Sequence, residues 1–297
     1  MRDVSINFNG ATILWSITGA ASGVALNTRL AELELPAARV VDEAQALKMA
    51  MQVHSRGQGS LMIRPLSKGV GYALVQETDT GTDMEYSEIY RAIVIEGSLV
   101  GRQGRTVVCK VGKAGGNLDP MEVMNTLQPR FEAYNGCVTS EKMGSCLSSI
   151  VRHLGGVAVR PRGGVYWLSD SALPKFQEVA EVIEQLAPGS QVFRVRTCAD
   201  EQTVRLVSSS LAHEVQTEAS RIQEKLSEGS LGERAIESCQ KRLKELRDKV
   251  ESYEGILEQD LETLRDRLNT VYMAQVEAEL SSPEEEAEEN WLLSSPL

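Results

Sequence analysis

Residues 233–271 read ERAIESCQKRLKELRDKVESYEGILEQDLETLRDRLNTV. Here Ile236, Cys239, Leu243, Leu246, Val250, Tyr253 and Leu257 step by threes and fours. After one extra residue near Gly255, Leu261, Leu264, Leu268 and Val271 resume the rhythm. That period draws a narrow apolar stripe along an otherwise charged helix, and such a stripe must be covered by another helix. Upstream, Asp200 reads as an N-cap, and Val204, Val207, Leu211, Val215, Ala219, Ile222 and Leu226 form a matching stripe. Glu228-Gly229-Ser230 interrupts it.

The pattern predicts a C-terminal antiparallel helical hairpin or coiled coil over residues 200–281. At 1.5 Å per residue its arms would be about 43 Å and about 75 Å long. The second arm outruns the first, so Leu257–Val271 would need cover from the globular part or from another copy.

Working outward, the hydrophobic rhythm changes. The Asn9-Gly10 pair between the runs Val4–Phe8 and Ala11–Thr18 predicts a hairpin. Asp42 would cap a helix over 42–54 with Ala46, Leu47, Ala50 and Met51 inward. Strand-like runs follow at 61–66, 71–77, 85–95 and 105–111, and Gly112–Asn117 reads as a linker. Asp119-Pro120 starts a helix to about Tyr134. A second helix over 140–154, short strands at 157–161 and 164–168, a helix to about Ala187 and a strand over 191–198 complete this part.

The expected class is α+β in four parts. A strand-rich lobe (1–116) is followed by a small helix-helix-hairpin-helix-strand lobe (117–199). The helical hairpin (200–281) and a disordered acidic tail (282–297) complete the chain.

The net charge of −11 is uneven: residues 200–297 carry a balance of −12, whereas residues 99–175 hold ten Lys/Arg against five Asp/Glu. A basic face is therefore compatible with the acidic total. Five scattered cysteines without CxxC spacing read as reduced thiols of a cytoplasmic protein. Polar interruptions in Ala11–Leu26 argue against a signal peptide, and no membrane span is expected.

The segment Ile17-Thr18-Gly19-Ala20-Ala21-Ser22-Gly23-Val24-Ala25, with Asp42 beyond it, resembles the TGxxxGxG phosphate loop of short-chain dehydrogenases. That resemblance implies a nucleotide-dependent enzyme using Gly19 and Gly23. Ala25 replaces the last glycine, and no Tyr is followed four residues later by Lys. Gly112-Lys113-Ala114 lacks the rest of a Walker loop, and His54, His153 and His213 share no ligand spacing. No cofactor, metal or catalytic residue is assigned.

Two non-catalytic readings remain. Residues 119–168 order two helices before a hairpin, as in a winged helix. Lys142, Arg152, Arg160, Arg162 and Tyr166 would then contact nucleic acid. The leading expectation is an assembly or adaptor protein that docks itself or another protein through its helical arm. The packing residues would be Leu243, Leu246, Val250, Tyr253, Leu257, Leu261, Leu264, Leu268 and Val271.

Overall fold

The computed structural model describes residues 8–67, 71–80, 83–96, 104–160, 164–198, 200–227, 233–254 and 261–280. In chain order these form β1 (Phe8–Ser16), β2 (Ala21–Ser22), α1 (Gly23–Glu32), α2 (Glu43–Ser55), β3 (Leu61–Pro65), β4 (Gly71–Asp79), β5 (Met84–Glu96) and β6 (Arg105–Val111). There follow α3 (Pro120–Tyr134), β7 (Cys137–Val138), α4 (Ser140–His153), β8 (Val157–Ala158), β9 (Val165–Ser169), α5 (Leu173–Leu186) and β10 (Gln191–Cys198). Three helices end the described chain: α6 (Glu201–Ser227), α7 (Glu233–Ser252) and α8 (Leu261–Leu280). The architecture is mixed α/β with antiparallel sheets. The proposed acidic tail lies outside the described residues.

The chain divides into two units made of non-consecutive segments. One comprises Ser16–Ser149 with Glu178–Gln191, and the other Ile150–Gln177 with the described parts of 1–15 and 192–297. In the first unit β3-β4-β5-β6 form an antiparallel meander. Its inner face, with Leu74, Tyr90, Ala92, Val107 and Cys109, packs on Ala46, Leu47, Ala50 and Met51 of α2 and on Val123, Leu127 and Phe131 of α3. Burying each large side chain of this kind contributes about 1.5–3 kcal/mol.

Local polar contacts set the positions of the two helices. The Asp42 carboxylate accepts from the Gln45 amide at 2.8 Å and starts α2. The Gln128 side chain, 3% exposed, accepts from the Val107 amide at 2.7 Å and donates to the Arg105 carbonyl at 3.1 Å, tying α3 to the edge of β6. Buried in this way, the amide satisfies strand groups that no further strand pairs.

The second unit contains a four-stranded sheet in the order β10-β1-β9-β8. Here the expected Asn9-Gly10 turn is corrected: β1 runs straight through it, and Gly10 pairs with Ser169. The glycine has a different use. A Cβ at residue 10 would lie 2.4 Å from the Trp167 indole and 2.4 Å from the Leu168 carbonyl, so only glycine admits the ring.

Asp200 caps α6 as expected, accepting from the Thr203 amide at 2.7 Å. The expected long second arm is also corrected. It is divided into two 20-residue helices, α7 and α8, each about 30 Å long. Helix α8 packs against both α6 and α7. Contacts Arg242–Glu218 and Lys249–Glu214 make α6 and α7 antiparallel, because one number rises as the other falls. Arg247–Asn269 and Arg265–Glu254 do the same for α7 and α8. The two-helix hairpin thus becomes a three-helix bundle, because Leu264, Leu268 and Val271 of α8 are buried in the core it shares with α6 and α7.

Candidate functional site

The packing residues expected to recruit a partner are buried inside this bundle. Leu243, Leu246, Val250, Tyr253, Leu264, Leu268 and Val271 share one core with Val207, Leu211, Val215, Ala219 and Ile222. Leu261 opens α8, and Leu257 lies outside the described residues. The stripe downstream of residue 200 is covered by the chain itself, so these positions hold the bundle together and are not an open face.

A polar cluster joins this bundle to the loop before β8. The Lys249 ammonium, its side chain 9% exposed, donates to both Glu214 carboxylate oxygens at 2.8 Å and to the Gly156 carbonyl at 2.7 Å. Burial pushes its pKa below 10.5, against the pull of Glu214. One turn on, the Tyr253 hydroxyl donates to the Gly155 carbonyl at 2.8 Å, and its ring lies 5.8 Å from that of Trp167. Heptad reading finds Tyr253 as a stripe residue but misses Lys249 and Glu214, whose charges look solvated in sequence. Their burial comes from the loop 154–156, which no helical period reports.

On the outer side of the bundle, α7 and α8 leave a groove. Two adjoining cavities of about 250 and 540 Å³ share Arg247 and Leu268. The floor carries Leu243, Val250 and Leu268, and Tyr272 and Val276 continue it along α8. Tyr272 and its neighbour Met273 are 46% and 58% exposed. Arg247 spans the groove, donating to Asn269 Oδ1 at 2.8 Å with its guanidinium 5.3 Å from the Tyr272 ring centre. The walls hold Lys244, Arg247 and Arg265 against Asp248 and Glu251. Lys244 forms no ion pair among the described residues. A cationic excess here stands out in a segment whose balance is −12.

Of the residues expected to contact nucleic acid, Lys142 and Arg152 lie on α4, Arg160 follows β8, Tyr166 is in β9, and Arg162 lies outside the described residues. The Lys142 ammonium donates to the Val40 carbonyl at 3.0 Å. Arg152 and Arg160 are exposed. Tyr166 is 4% exposed and stacked on Trp15 at 5.5 Å, so its ring offers no face to a base. The hairpin strands β8 and β9 continue a sheet through β1, whereas a wing would stand free.

The glycine turn before α1 is likewise filled from within. The Gly23 amide, at the start of α1, donates to the Gly136 carbonyl at 3.0 Å, and a Cβ there would lie 2.3 Å from that oxygen. A protein carbonyl thus occupies the place a phosphate oxygen would take. Asp42, which the resemblance would assign to a ribose, is engaged in capping α2.

A second concavity, of about 380 Å³, lies between α2, the meander and α3, with His54, Leu61, Leu74, Tyr90, Leu118 and Val123 among its lining residues. His54 Nδ1 is 2.7 Å from the Tyr90 hydroxyl. Burial raises the Tyr90 pKa above 10, so the hydroxyl keeps its proton. Burial, with Arg130 adding to it, lowers the His54 pKa below 6.5.

The sign of the pH effect follows. Below 6.5 the unfolded chain takes up a proton that the folded imidazole resists. The stability contributed at higher pH is therefore lost as pH falls from 6.5 through the folded pKa. Urea unfolding from about pH 7.5 to about pH 5 should show decreasing stability, with a shallower decrease in His54→Gln. An identical slope in the variant would contradict the assignment.

No group of three metal-ligating side chains occurs among the described residues, and no described helix is long and apolar enough to cross a membrane. Burial pushes the Cys109 and Cys146 thiols up to about 12 and about 11, which keeps them unreactive.

A family model described as "Family of unknown function (DUF6744)" matches residues 10–285, and the chain belongs to that family. No curated protein and no solved structure matches it.

Proposed function

We propose that the protein is a non-catalytic assembly or adaptor protein whose C-terminal helical arm docks another protein. The docking face is the α7–α8 groove, and the occupant is an acidic amphipathic helix of that partner. The observation that carries this reading is the groove itself, in which exposed Tyr272 stands over the buried Leu243 and Leu268, with Lys244, Arg247 and Arg265 against Asp248 and Glu251 on its walls. A helix laid there would complete a four-helix arrangement and bury the Tyr272 side chain. Acidic residues flanking its apolar stripe would meet Lys244, which has no ion-pair partner among the described residues. Opposite charge at such a rim contributes mainly to selectivity and encounter rate.

The test places a photo-crosslinking residue at Tyr272 of the full-length chain in the cells that make it. The crosslinked partner segment should show apolar residues at i, i+3 or i+4, and i+7, with net negative charge. Lys244→Glu with Arg247→Glu should reduce the yield about tenfold, equivalent to about 1.4 kcal/mol. Crosslinks to a basic or non-periodic segment, to a second copy, or to no other chain would overturn the proposal.

A further inference from the structure

We propose that the concavity between α2, the meander and α3 binds a small amine, an ammonium group carried on an apolar ring. The concavity lies wholly within the unit Ser16–Ser149 with Glu178–Gln191, so it is independent of the groove on the helical bundle.

A break in strand pairing shapes it. Leu74 faces Tyr90 and Val75 faces Glu88 across β4 and β5, so Ile89 is an extra residue, a β-bulge. Consecutive strand residues ordinarily point to opposite faces, yet Ile89 and Tyr90 both line the concavity. The Ile89 carbonyl accepts from the Gly112 amide, just past the end of β6, at 2.7 Å, which holds the bulge in place. Bulges recur beside binding sites because they re-aim a side chain in this way.

The lining selects the ligand. Leu61, Leu74, Ile89 and Val123 supply apolar surface, and Leu118, 43% exposed, leaves more of it in water. At about 380 Å³ the space is at the small end of ligand pockets and suits one ring with a short side chain. Three polar groups of the lining have no partner among the described residues: the Glu122 carboxylate, the Gln58 side-chain amide and His54 Nε2. The lining holds that one carboxylate and no Lys or Arg, which favours a cation over an anion.

The imidazole fits this assignment. Its Nδ1 is engaged with the Tyr90 hydroxyl at 2.7 Å, and the two rings stand at 85° to one another. Burial, with Arg130 outside the lining adding to it, keeps the His54 pKa below 6.5. At neutral pH the ring is therefore uncharged and does not repel an ammonium. Glu122 and Gln58 supply acceptors for the ammonium, and the aliphatic side chains cover the ring.

The experiment titrates the full-length chain with phenethylamine, phenethyl alcohol and phenylacetate, which share a ring and differ in charge. Methyl NMR shifts of Leu61, Leu74, Ile89 and Val123 report on the site. The amine should bind with a Kd of about 1 mM, about tenfold more tightly than phenylacetate, with the alcohol between them. Glu122→Gln should bring the amine to the level of the alcohol. Thr126→Trp, at an exposed position of the lining, should abolish binding of all three. Both substitutions are at exposed positions, and unchanged amide spectra elsewhere would verify the fold. Absence of methyl shifts at about 10 mM amine, or phenylacetate binding as tightly as the amine, would overturn the proposal. So would an amine preference that survives Glu122→Gln, or binding that survives Thr126→Trp.

Discussion

Replacing Lys249 with methionine should destabilise the unit that contains the helical bundle by about 3–5 kcal/mol, the usual cost of removing one member of a buried ion pair. The ammonium is the donor to both Glu214 oxygens and to the Gly156 carbonyl, and little water reaches the site. Methionine fills the space but leaves a carboxylate and a carbonyl facing it. Glu214 keeps 22% of its side chain exposed, which places the expected loss toward the lower end. Adding Glu214→Leu should recover most of the loss, because an apolar pair of similar volume has no charge to desolvate. Urea midpoints of the single and double variants are the measurement. A single variant as stable as the parent would show that the cluster is solvated in solution.

Trp167→Ala should cost about 3–5 kcal/mol, the range for deleting a large buried ring. The indole is fully buried in the core shared by β8, β9, α6 and α7, and it packs over Gly10 and beside Tyr253. Its Nε1 donates to the Thr197 hydroxyl at 3.0 Å. Amides of α6 and α7 should lose hydrogen-exchange protection along with the sheet, since the ring belongs to the core those helices share. Loss confined to the sheet would show that the bundle holds independently of Trp167. Trp167→Phe should cost less, because it keeps part of the packing and gives up the hydrogen bond.

Local signals in the sequence located most elements. Asp42, Asp119 and Asp200 each accept a backbone N–H at a helix start, as their positions before apolar periodic runs imply. Strand β6 and strand β10 occupy the residues expected from their alternation. Asn9-Gly10 misled because two demands produce the same dipeptide. A turn needs glycine for its backbone freedom, whereas β1 needs it to make room for an indole 157 residues away. Nothing near residue 10 announces that ring.

The candidate site divides in the same way. The heptad positions were legible, but their partner was not, since a stripe of threes and fours is the same whether its cover is internal or external. Lys249 and Glu214 were invisible because their burial depends on a loop far away in sequence. Tyr166 and Lys142 have the chemistry of a nucleic-acid contact, yet stacking on Trp15 and bonding to the Val40 carbonyl use those groups internally.

The amino-acid order alone determined where α2, α3 and α6 start, where β6 and β10 run, and that the acidic charge gathers beyond residue 200, though not the helix α1 or the separate start of α8. Those properties depend on neighbours within a turn or two of the chain, so local periodicity and capping express them in full. Only the tertiary structure decided that α8 folds back on α6 and α7, that β1 joins β9 and β10, and that a cation-walled groove is left between α7 and α8. These outcomes depend on which of several suitable apolar surfaces meets which, and that is settled by packing energies summed over residues far apart in the chain.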